Sequence, residues 1–111
     1  MPAMPNNLLT AQTNPAAGEQ IIPLLQGSAF RLEQIISHGI PSPEGFWYEQ
    51  PDSEWVMLVR GEAVLQFETG PDQRLQAGTT MTIPARRKHR VASVSQDAIW
   101  LTLHYTPAAA Q

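Results

Sequence analysis

The sequence predicts an all-β protein, a barrel or sandwich of short antiparallel strands, and three observations carry that expectation. Ten prolines and seven glycines are spread through 111 residues, which cuts the chain into short elements joined by turns. Between the breaks, apolar and polar side chains alternate with a period of two. The cleanest case is Glu62 to Glu68, where Ala63, Leu65 and Phe67 oppose Val64, Gln66 and Glu68. Turn signals separate about eight to ten such runs, and no helix longer than a turn or two is readable among them.

Taken in order, residues 1–19 are rich in Pro, Ala, Asn, Gln and Thr, with Leu8 and Leu9 as an apolar pair, and read as an arm that needs a neighbour to dock on. Gln20 to Leu25 is a short apolar run around Pro23, and a residue without an N–H confines it to a sheet edge. After the Gly27-Ser28 turn, Ala29 to His38 alternates: Phe30, Leu32 and Ile36 share a parity with His38, while Arg31, Glu33 and Ser37 take the other. Gly39 to Gly45 is a loop with two prolines, Phe46 to Gln50 a short strand, and Pro51-Asp52-Ser53 a turn. Glu54 to Val59 has no polar parity and reads as a strand buried on both faces. Gly61 turns the chain into the Glu62–Glu68 strand, and Thr69-Gly70-Pro71-Asp72 turns it again. Short strands follow about Arg74-Leu75, over Thr79 to Ile83, His89 to Val94 and Ile99 to Tyr105. The barrel is thus expected over residues 20–106, with a tail at 107–111.

Size and charge narrow the function. A chain of 111 residues has room for one domain. A formal charge of −3 argues against nucleic acid, whose phosphates call for a net basic face. The local run Arg86-Arg87-Lys88-His89-Arg90 has two readings, a solvated loop or a barrel mouth where Arg86 or Arg87 holds a carboxylate or phosphate. The absence of cysteine removes a disulfide framework and thiolate metal sites. No apolar run approaches membrane-spanning length and no secretory leader pattern is present, so the expected location is cytoplasmic, with no membrane partner. Nothing resembles a nucleophile elbow or a phosphate-cradling glycine loop.

The centre of interest is Gly45 to Gly61, where three clustered aromatics and a turn lead into a buried strand that opens on Glu54. A carboxylate there needs a cation or hydrogen-bond donors to meet it. Two spacings then fall together. Glu54, six residues and Gly61 match the second half of the first cupin motif, G-x5-H-x-H-x3-4-E-x6-G. Gly78, five residues, Pro84 and then His89 match most of the second, G-x5-P-x-G-x2-H-x3-N. Over about residues 28–105 the chain resembles the small single-domain cupins. The motif's two histidines are replaced by Tyr48 and Gln50 (or Trp47 and Glu49 in the longer spacing), and Arg86 and Ser93 stand for its glycine and asparagine.

The resemblance implies a jelly-roll barrel, with Tyr48, Gln50, Glu54 and His89 pointing inward at one level. It also implies a divalent metal (Zn, Fe, Mn or Ni) held by Gln50, Glu54 and His89, a set weakened by the missing histidines. Glu49 could add a ligand through a bulge. His104 could make a 2-His-1-carboxylate set if its face looks inward, and otherwise is structural, as is His38 at its strand end. Without a metal, Glu54 is expected in a polar cluster with Tyr48, Gln50 and His89. The implied functions are a small polar or anionic molecule bound in the barrel, with Tyr48, Arg86 and Arg87 as contacts, or a dioxygenase- or isomerase-type enzyme with Glu54 as ligand or base. Small cupins pair through an exposed sheet, so a homodimer is expected.

Overall fold

A computed structural model describes residues 5–10 and 18–107. Eight strands form: β1 (Gln20–Gln26), β2 (Phe30–Ile36), β3 (Ser53–Arg60), β4 (Glu62–Phe67), β5 (Gln73–Gln76), β6 (Thr80–Ile83), β7 (His89–Val94) and β8 (Ile99–Tyr105). All pairings are antiparallel and build two sheets, β1-β2-β8-β3-β6 and β5-β4-β7. This is a barrel of short antiparallel strands, as the alternation called for, in the jelly-roll arrangement that the resemblance implied. The run around Pro23 is indeed an edge strand, with a register shift between Pro23 and Leu25. Phe46 to Gln50 falls short of a strand: it contributes only a bridge between Tyr48 and His89, because Pro51 ends the extended run at once.

The core between the sheets is built from Val56, Leu58, Ala63, Leu65, Phe67, Leu75, Ile83, Ala98 and Trp100. Leu58 and Ala98 are fully buried. Gly61 makes the β3–β4 corner with φ of 92°, and a Cβ there would stand 2.9 Å from the backbone of Ala98. Both the left-handed backbone and the close approach require glycine.

The described part of the expected arm is docked. A short 3-10 helix, Leu8–Thr10, offers the Leu8 carbonyl to the Gln34 amide at 2.9 Å, which gives a buried polar side chain of β2 its partner. Residues 1–4 and 11–17 of the arm, and 108–111 of the tail, lie outside the described residues. Among the described residues no helix is long and apolar enough to cross a membrane.

Candidate functional site

Register positions the site. Directly opposed residues of an antiparallel pair project to one face, so the pairings define rows across the sheet interior. In the first row Arg31 opposes His104, His104 opposes Glu54, and Glu54 opposes Ile83. The second row runs Glu33, Thr102, Val56, Met81, and the third Ile35, Trp100, Leu58. In the facing sheet Phe67 opposes His89, Leu65 opposes Val91, and Ala63 opposes Val94. The bridge, with Tyr48 N–H donating to the His89 carbonyl at 2.7 Å and His89 N–H returning at 3.1 Å, brings Tyr48 into the row of Phe67 and His89 in the facing sheet. The polar rows of both sheets meet around a cavity of about 220 Å³.

Tyr48, Gln50, Glu54, His89 and His104 all line that cavity. His104, for which two orientations were open, points inward and is buried. Glu49 is exposed and outside the lining; Arg86 is exposed and Arg87 half-buried, and neither lines the cavity. Arg86 is exposed, with φ of 70°, and its N–H donates to the Gln50 carbonyl at 2.7 Å. Arg87 lays its guanidinium over the Phe67 ring, 4.1 Å from the centroid. Its contribution to the site is its carbonyl, which holds the His89 ring. His38 lies in the turn after β2, bonded to Gln20 at 2.7 Å.

The electrostatics centre on Glu54. Its Oε1 lies 3.4 Å from His89 Nε2 and its Oε2 lies 3.7 Å from His104 Nε2, which also stands 3.6 Å from Glu33 Oε1. His89 Nδ1 is 2.9 Å from the Arg87 carbonyl, which can only accept, so that nitrogen carries the proton and Nε2 turns toward the carboxylate. Burial pulls the His89 pKa down and is the largest single influence. The Glu54 carboxylate and the Arg87 carbonyl together overcome it and raise the pKa above the usual imidazole value. Burial, and then the charge of Glu19, lifts the Tyr48 phenol above its ordinary range, with Glu54 adding to the effect and Ser42 opposing it. Tyr48 is therefore a hydrogen-bond donor and a poor metal ligand.

Several buried polar atoms around the cavity have no hydrogen-bond partner among the described residues: Gln50 Oε1, Glu54 Oε1, Thr102 Oγ1 and His104 Nδ1. Such atoms are costly unless a ligand meets them. The donor chemistry, two imidazoles, a carboxylate and an amide oxygen, fits a divalent cation. Among the described residues, however, no three His, Cys, Asp or Glu side chains are arranged as a completed metal site.

Glu19 was not among the candidate site residues read from the sequence, and neither were two lining residues of β2, Arg31 and Glu33. The latter two occupy the polar parity of β2, which ordinarily means solvent. Here that parity faces the cavity, and the signal was available only by pairing β2 with β8, whose polar parity holds Thr102 and His104.

A Cupin domain model matches residues 33–104. No curated protein matches the chain. Among solved structures, a Ralstonia eutropha protein provisionally described as a mannose-6-phosphate isomerase is 34% identical, with a TM-score of 0.87, over 95% of this chain and 100% of its own. An RmlC-like cupin from Desulfovibrio desulfuricans is 15% identical, with a TM-score of 0.76, over 96% of this chain and 99% of its own. A cupin superfamily protein from Desulfitobacterium hafniense is 16% identical, with a TM-score of 0.70, over 87% and 83% of the two chains. The likeness to the last two is one of fold. The strand order, the two spaced motifs and the matching family model agree: the chain belongs to the cupin superfamily.

Proposed function

We propose that this protein binds a small polar molecule in the barrel cavity, and that the site also takes a divalent cation. One observation carries the reading. With His89 neutral and Nδ1–H on the Arg87 carbonyl, its Nε2 lone pair faces Glu54 Oε1 across 3.4 Å. Two acceptors in a buried site repel unless a proton or a cation lies between them. Below the raised pKa of His89 a proton serves; above it a divalent cation would serve in its place. Glu54, His89 and His104 would hold the cation, with the Gln50 amide oxygen as a weaker donor. Glu49, which points away from the cavity, would take no part. When bound, a divalent cation in such a site polarises a substrate oxygen.

Elemental analysis of protein purified without chelator tests this. Near one transition metal per chain, absent from His89→Ala, supports it. Metal-free protein that also fails to take up Zn²⁺ or Mn²⁺ contradicts the cation and leaves a cavity that binds through hydrogen bonds alone.

The second reading is an isomerase-type enzyme, favoured by the description of the 34% identical neighbour. In that reading Glu54 moves a proton at its Oε1 and the Tyr48 phenol donates to a substrate oxygen. Turnover of a hexose phosphate, lost in Glu54→Gln, would select it over the binding module.

A homodimer and a cytoplasmic setting also belong to the proposal. The dimer is supported by the outward face of the five-stranded sheet, where Leu32, Trp55, Met57, Leu101 and Leu103 remain only half-buried. A second copy packed on that face would cover them, and a monomer in sedimentation equilibrium would overturn it.

A further inference from the structure

The cavity's charges are lopsided. Three carboxylates line it, Glu19, Glu33 and Glu54, against one permanent cation, Arg31. Arg31 has a second distinction: it also lines an adjoining cleft of about 410 Å³ at the β1–β2 turn, bounded by Ser28, Asp52, His104 and Thr106. Among the described residues Arg31 and His104 alone border both spaces, so the guanidinium stands where cavity and cleft meet.

Its protein partners hold it loosely. Arg31 Nε is 3.6 Å from Glu33 Oε2 and one terminal nitrogen is 3.8 Å from Asp52 Oδ2, and the side chain is 45% exposed. Both contacts are longer than a hydrogen bond, and a pair this exposed contributes little. The five N–H donors of the guanidinium thus have no acceptor within hydrogen-bonding distance among the described residues. A planar fork of unused donors at a cavity mouth is the group that recognises a carboxylate or phosphate in bidentate fashion.

We infer that Arg31 binds the anionic end of the ligand, so that the ligand class is a small molecule with a carboxylate or phosphate at one end and oxygen functions at the other. This deepens the proposed function and rests on the cavity being the binding site. The anion would lie at the cleft, with the Ser28 and Thr106 hydroxyls within the same wall, while the remainder reaches inward toward Glu54 and His89. The role expected of Arg86 or Arg87, in the loop between β6 and β7, passes on this reading to Arg31 on β2.

NMR titration of the backbone amides tests the inference, with inorganic phosphate, glycerol 3-phosphate and glycerol as probes. The expected result is that both phosphates shift the amides around Arg31 and Thr106, and that glycerol 3-phosphate binds at least about tenfold tighter than glycerol. Arg31→Met should weaken both phosphates about tenfold to a hundredfold and Arg31→Lys less, since a point charge replaces a fork. Asp52→Asn, which removes a competing acceptor, should tighten them. The inference is overturned if Arg31→Met binds phosphate as well as the parent, or if the shifts map to Arg86–Arg90 instead. Repeating the phosphate titration on Glu54→Gln separates the two claims. Binding kept there while metal uptake is absent in the parent would leave Arg31 in place and remove the cation. Metal uptake with no phosphate shifts would do the reverse.

Discussion

The two ends of the barrel are made by the same strands and are physical opposites. At one end Leu58, Ala63, Leu75 and Ala98 fill the space between the sheets. At the other, the same β3 that carries Leu58 carries Glu54, and the same β8 that carries Trp100 carries His104, around open volume. Each strand crosses from apolar to charged within four residues: Ile35, Glu33, Arg31 along β2; Leu58, Val56, Glu54 along β3; Trp100, Thr102, His104 along β8. The packed end supplies the burial that holds the sheets together. The hollow end places charged side chains where the fold gains little from them. On the proposed reading, the hollow end is the place where the chain gives up stability for binding.

The two ends should therefore respond differently to substitution. The largest effect is expected at the packed end. Leu58→Ala removes a fully buried side chain and should cost about 2–5 kcal/mol in denaturant unfolding, with cation and phosphate affinity unchanged in the folded protein. A loss of affinity matching the loss of stability would break the separation. At the hollow end, Glu54→Gln should lower cation affinity about a hundredfold or more, as removal of the single carboxylate at the centre of the cluster would do. Its effect on stability should be within about 1 kcal/mol, because it also removes a buried carboxylate from between two rings.

A smaller effect is expected from pH. The folded pKa of His89 is raised, so the stability contributed by the His89–Glu54 pair in metal-free protein is fully present below the unfolded value of about 6.5. It is lost as pH rises through the folded pKa. Following the His89 ring proton by NMR should give a midpoint above about 6.5 in metal-free protein, moving down in Glu54→Gln. A midpoint below that value would mean that burial prevails over the carboxylate. The smallest effect belongs to Thr102→Val. Its hydroxyl is buried without a partner, so the substitution should leave stability unchanged or slightly raised, and any cost should appear in ligand affinity.

Much of this was legible in the sequence. Alternation and turns gave the strands, and the resemblance carried by two short spacings implied that Glu54 and His89, 35 positions apart in the chain, meet inside the barrel, where they stand 3.4 Å apart. What stayed hidden was the direction of faces. Arg31 and Glu33 sit opposite Leu32, and Trp100, Thr102 and His104 sit opposite Leu101 and Leu103; read alone, each strand offers its polar face to water. Only the register Arg31–His104–Glu54 reveals that the polar faces converge inside and the apolar ones look out. The basic run had two readings for a related reason. Arg86 and Arg87 are adjacent to His89 in sequence, but Arg86 is exposed in the turn and Arg87 stacks on Phe67, and neither lines the cavity.

The most direct test of the central claim is calorimetric titration of chelator-stripped protein with Mn²⁺ or Zn²⁺ above the His89 pKa. One equivalent per chain is expected, with affinity falling at least about a hundredfold in Glu54→Gln and in His89→Ala alike. No heat of binding in the parent protein, or full affinity in Glu54→Gln, would contradict it.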